Sequence, residues 1–298
     1  AFYMTGQLVK VLFPSTLKTI GVGAFYLSGV AEFNLPDGLL AIKRGALDSA
    51  TLTALHIPAS VQEIGDPPAR TSTALTAITV DSGNQNYTAQ DGVLYTKDMK
   101  TLVSYPRGKT GATFAIPSGV EELGRMAFYG VAALTGVTLP AGLLTIGEEC
   151  FLVATGITAI AIPASVQTIN GIAFGTMPAL TAITVDSGNL NYTAQDGVLY
   201  TKSMKTLVQY PNGKSGTTFT VPAGVETIEQ GAFQENPGLT GVTLPAGLLH
   251  LKPRAFSGAS KLQTIAIPAS VQEVGGQALA RCPLLTAITV DSGNQNFT

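Results

Sequence analysis

Hydrophobic positions along the chain recur as Leu-x-x-Ile-x-Ile, then Pro, then Val or Leu, then Ile three residues on, then Gly-x-x-Ala-Phe. Pro14, Pro36 and Pro58 are 22 residues apart, while Pro117, Pro140 and Pro163, like Pro222, Pro245 and Pro268, are 23 apart. The alternation before each proline predicts a short strand with its large side chains inward. Proline ends that strand because it has no N–H to give to a neighbouring ladder. The apolar pair after it supplies a second inward wall. Glycines at 21, 65, 124, 147 and 275 mark a corner where a Cβ would crowd the turn. The pairs Ala24-Phe25, Ala127-Phe128, Ala173-Phe174, Ala232-Phe233 and Ala255-Phe256 close each coil and predict a continuous spine of stacked rings. One coil cannot hide its apolar side alone, so stability must come from its neighbours. Removing a spine phenylalanine should cost about 3–5 kcal/mol.

A longer period lies over this one. Leu75 to Lys109 returns 105 residues later as Leu180 to Lys214, differing only at Gln85/Leu190, Asp98/Ser203, Ser104/Gln209 and Arg107/Asn212. The chain therefore reads as cassettes 75–179 and 180–284 with a partial third copy, 285–298. In each cassette one coil takes 36 residues, as from Val80 to Ile116. Its extra stretch holds two β-rich runs, 92–96 and 101–106, around the polar tip 97–100, and predicts a hairpin that protrudes from the stack or folds back on it. Ser104 and Gln209 fall in the outward phase of that hairpin, and Gln85/Leu190 tolerates opposite polarity, as a surface site would.

These residues resemble the BspA-like, Treponema pallidum-type leucine-rich repeats of bacterial surface proteins, whose Asp-Gly-Val-Leu-Tyr insertion stands here at 91–95 and 196–200. The chain differs from the better-known leucine-rich pattern in placing Pro where an Asn ladder would stand. The resemblance implies a strand-dominated α/β solenoid over 1–298: a right-handed, curved stack of about twelve coils with short parallel strands and inserted β-hairpins. It also implies an extracellular or cell-surface location. The opening at Ala1 and the stop inside a repeat at Thr298 lead us to expect a piece of a longer chain.

Composition narrows the function more than it names it. Charged residues make up 12 % and the formal net charge is -2, which argues against nucleic acid as a partner. No apolar run is long enough for a membrane span. Cys150 and Cys282 sit five coils apart, about 24 Å at strand spacing, so we expect two buried free thiols and no disulfide. His56 and His250 lie on distant coils, and no nucleophile–base pair can be assembled from them. Glu121-Glu122 and Glu148-Glu149 are expected to point different ways on the surface. We expect no catalysis, no cofactor and no metal.

The oxygen-rich set Asp81, Asn84, Asn86 and Asp91, repeated as Asp186, Asn189, Asn191 and Asp196, could suit calcium. Its spacing lacks the alternation of a calcium loop and favours side chains bonded to their own backbone. The sequons at Asn86 and Asn191 carry no weight in a bacterial chain. Outward strand positions such as Thr79, Thr138, Ala161 and Thr184 form a smooth, small, uncharged face. Aromatic anchors favoured at interfaces are then confined to Tyr95, Tyr105, Tyr200 and Tyr210, as partner contacts or as packing on the next coil. The function expected is adhesion through an extracellular protein or glycan. The alternatives are a passive spacer displaying another domain, or a carbohydrate-binding module of an extracellular enzyme.

Overall fold

The structure is a computed structural model describing residues 2–296; Ala1, Phe297 and Thr298, and with them the last two residues of the third cassette copy, lie outside the described residues. It is built from short strands in two families. The proline strands, so named because most of them run into a proline, include Ala159–Ile162 before Pro163 and Ala182–Val185 before Asp186, and pair in parallel with a 23-residue step, Ala159 opposite Ala182. Two-residue strands in the second wall pair likewise, Thr145 opposite Thr168. The buried–exposed alternation of Ala159–Ile162 sends Ile160 and Ile162 into the core and leaves Ala159 and Ala161 in solvent. Each coil thus covers the apolar interior of the one before it.

Side chains reinforce the ladder in rows. The hydroxyls of Thr76, Thr135, Thr158 and Thr181 each donate to the carbonyl of the residue 23 positions earlier. Ser60, Ser165 and Ser270, two residues after their prolines, donate to Leu39, Leu143 and Leu248 carbonyls in the preceding coils. A further row runs through the Ala-Phe corner, where Phe128 N–H donates to Cys150 O and Phe151 N–H to Ala173 O. These bonds give neighbouring coils a directional contact that burial alone lacks.

No α-helix occurs among the described residues, so the α/β expectation is corrected to an all-strand solenoid. The corner segments explain this. The residue before the closing Ala, or before Cys150 in its coil, is left-handed in coil after coil, at Met126 (φ 55°), Glu149 (φ 55°) and Ile172 (φ 56°), and such a residue stops helix propagation. Close approach accounts for most of the corner glycines: a Cβ on Gly147 would lie 2.6 Å from Leu123 O, and on Gly275 2.4 Å from Pro253 N, whereas Gly21 faces open space and its expected crowding is corrected.

The long coils divide the stack. Tyr87–Gln90 pairs antiparallel with Val93–Thr96, which pairs antiparallel with Thr101–Ser104, which then pairs in parallel with the short strand Glu122–Leu123. The sequence reading had the last two strands and missed Tyr87–Gln90. Its turn, Asp91 (φ 50°) and Gly92 (φ 75°), has the left-handed pair of a type I′ hairpin, for which Asp-Gly is the usual signal. The second copy repeats this with Tyr192–Gln195, Val198–Thr201 and Thr206–Gln209. Both sheet families stop and restart at these points, giving separate sheets before, between and after the two insertions. The core divides with them into three clusters.

Candidate interaction surfaces

The four tyrosines singled out in the sequence lie in the core. Tyr95, Tyr200 and Tyr210 are 1 % exposed and Tyr105 4 %. Their packing reading holds and a surface contact through their rings is corrected. Burial first, and then the nearby Asp91 and Asp196 carboxylates, push the Tyr95 and Tyr200 phenols well above the ordinary value. Tyr105 stands where other coils have phenylalanine, its N–H donating to Ala127 O. Its ring stacks on Phe128 at 5.2 Å, and the row continues through Phe151 and Phe174 at 5.0 and 5.8 Å. Tyr210 starts a second row through Phe233 and Phe256 at 5.1 and 4.7 Å. The spine is therefore segmented: Leu47 and Ala69 interrupt it before Tyr105, and a new row opens at each insertion.

Ser104 and Gln209 are also corrected, from outward to buried. The extra strand explains it, because Thr101–Ser104 and Thr206–Gln209 have covered neighbours on both sides. Gln209 Nε2 donates to Tyr210 O and Ala232 O at 3.0 and 3.2 Å. Leu190, in contrast, is 82 % exposed, in keeping with a site that accepts either polarity.

The oxygen-rich set is a backbone clamp. Asn84 is fully buried; its Nδ2 donates to Pro58 O and Val61 O at 2.8 and 3.0 Å, and its Oδ1 accepts from Asn86 N and Tyr87 N, both at 2.8 Å. Asn189 repeats all four bonds. Asp81 and Asp186 each accept the N–H of a glycine two residues on. The Asn84 and Asn189 side chains are thus spent on backbone partners. Among the described residues no group of three His, Cys, Asp or Glu could hold a metal ion.

Other polar groups are structural as well. His56 is exposed with Nδ1 3.1 Å from Thr79 Oγ1, and His250 Nδ1 lies 3.3 Å from Glu273 Oε2. Cys150 is buried and free, and burial pushes its thiol up; Cys282 is free and half-buried. Glu148 and Glu149 were expected to diverge, yet both reach Arg125, which also binds Asp66. Asp48, fully buried, accepts from Arg70 Nε at 2.8 Å, and desolvation raises its carboxyl despite that partner.

What remains on the outside is the face of the proline strands. Its exposed positions include Thr113, Thr138, Ala161 and Thr184 between the insertions and Thr220, Thr243, Ala266 and Thr289 after them. In register, Thr220 lies opposite Thr243 and Ala266 opposite Thr289, giving straight ranks of small side chains across the strands. The small side chains let a partner's surface approach closely, and His56, before the first insertion, stands on the same outward side of its strand opposite Thr79.

The profile of the BspA-type leucine-rich repeat region matches residues 1–105, 109–215 and 209–298, in six copies. The chain belongs to this family. A leucine-rich repeat protein from Eubacterium ventriosum, known from its crystal structure, is 27 % identical to this BspA-type chain, with a TM-score of 0.69 over 96 % of this chain and 75 % of that one. A leucine rich cell surface protein from Faecalibacterium prausnitzii shares the fold at 22 % identity, with a TM-score of 0.54 over 96 % and 86 %. No curated protein matches the BspA-type chain. No helix among its described residues is long and apolar enough to cross a membrane.

Proposed function

We propose that this BspA-type chain is a non-catalytic bacterial adhesion protein, secreted or held at the cell surface, that binds an extracellular protein or glycan. The observation that carries this reading is the face of the proline strands, where small exposed side chains stand in register from coil to coil. Family membership supports it: repeat stacks of this kind present extended surfaces to partners. One relative in fold is described as a cell surface protein. The chain acts as one curved, right-handed solenoid assembled from 105-residue cassettes, which sets the length of the face.

The test is binding of the purified chain to arrays of extracellular-matrix proteins and glycans. The reading predicts saturable binding that falls about tenfold when Thr184→Arg and Thr243→Arg put charge on the face. A chain that binds nothing on either array is a spacer. The spacer reading has its own support in the near-identity of the two insertions, which suits a stalk of adjustable length.

A further inference from the structure

The two insertions are nearly identical, yet the crevices beside them differ. The row of short strands stops at Ile64 and at Ile169, where the backbone N–H is taken by the hydroxyls of Tyr87 and Tyr192 at 2.8 and 2.9 Å. At the first stop the crevice is closed by Arg125, which reaches Asp66 from the far side of the insertion and also binds Glu148 and Glu149. The equivalent positions 105 residues later are Gly171 and Gln230. No ion pair forms there, and a cleft of about 280 Å³ remains.

Its polar lining includes Asn170, Tyr192, Thr206, Gln209, Glu229 and Gln230, beside apolar side chains that could meet the face of a ring. Four of these positions differ between the crevices: Gly65, Ser104, Gly124 and Arg125 stand where the second crevice has Asn170, Gln209, Glu229 and Gln230. Carboxamides, a carboxylate, a hydroxyl and a phenol ring suit a small ligand dense in hydroxyl groups. No cationic side chain lines the space, which disfavours an anion, and a cation would find one carboxylate. The volume suits one six-membered sugar ring and is too short for a peptide strand of several residues.

The geometry points to this cleft as a binding site for a single neutral sugar unit, free or terminal on a glycan. The inference deepens the binding reading above and rests on it for contact with glycans outside the cell. Because free sugars are the probe, a negative result here leaves contact through the strand face standing.

Titration calorimetry and saturation-transfer NMR with D-glucose, D-galactose, D-mannose and N-acetylglucosamine test it. At least one should bind at one site with a dissociation constant on the order of 1 mM. The double variant Gly171→Asp with Gln230→Arg installs the closure of the first crevice and should weaken binding by at least about tenfold while the melting temperature holds or rises. A Cβ at Gly171 meets only the Gln230 side chain, Oε1 at 3.5 Å and Cδ at 3.8 Å, so the fold accommodates the change. Asn170→Ala should weaken binding, and Arg125→Gln, at the other crevice, should leave it unchanged. No saturable binding of any of the four sugars, or binding indifferent to the double variant, overturns the assignment. So does an extended peptide that occupies the cleft where the sugars do not.

Discussion

Leu94 and Tyr95 are neighbours in the chain whose side chains lie in different cores. Leu94 packs with the cluster that begins at Ile20, whereas Tyr95 and Val93 pack with the cluster that runs on to Leu199. All three are 1 % exposed or less. A strand sends alternate side chains to opposite faces, so a strand buried on both faces becomes a wall between two interiors. Leu199 between Val198 and Tyr200 repeats the arrangement.

This division predicts where damage appears. Leu94→Ala should cost about 2–5 kcal/mol and Tyr95→Ala about 3–5 kcal/mol. Hydrogen exchange should show the first loosening amides before residue 93 and the second those after it. Equal loss of protection on both sides in each variant would contradict the wall.

Asn84 should be as sensitive as a large core residue. Asn84→Ala strands two carbonyls and two N–H groups, and with a cost of about 1–3 kcal/mol for each group left unsatisfied, the loss should exceed that of a typical point mutation. Asn84→Asp should fare little better, because a carboxylate cannot donate to Pro58 O and Val61 O. Thermal unfolding of the two variants checks this, and an unchanged midpoint for either would refute the clamp.

Asp48 should titrate above the ordinary aspartate value when followed by carboxyl carbon NMR. Burial raises its folded pKa, so its contribution to stability is fully present below the unfolded value and is lost as pH rises through the folded one. Arg70, which lowers the pKa, opposes this. Arg70→Ala should move the titration higher still.

The left-handed corner can be relieved. Gln277 is exposed with φ 62°, and its Oε1 accepts from Arg254 Nε at 3.1 Å. Gln277→Gly should raise stability by about 1 kcal/mol or less, the backbone relief outweighing the added freedom of the unfolded chain. Met126→Gly at the same corner should lower it, since Met126 is buried. Denaturant titration of the pair separates the two effects.

The coil was legible in the sequence because proline, glycine and aliphatic spacing each fix one feature of it. The parallel stack, the inward isoleucines and the outward threonines followed directly. The insertion was harder, because alternation tells inward from outward only when one face meets water. With both faces covered, Ser104 and Gln209 were assigned to solvent, and the tyrosines were offered as surface contacts. The strand Tyr87–Gln90 was hidden by its polar composition, although Asp91-Gly92 announced its turn. The cleft beside Gly171 was out of reach, since it depends on residues 59 positions apart meeting across the insertion.

The most direct measurement is on a chain lacking Val93 to Gly197. The cut joins Gly92 to Val198 and restores Asp-Gly-Val-Leu-Tyr, with one doubly buried strand in place of two. If the stack is built of self-sufficient blocks meeting at these walls, the shortened chain will stay soluble and unfold cooperatively, with the denaturant slope reduced by about a third. A shortened chain that aggregates, or that melts without a cooperative transition, would contradict the block architecture.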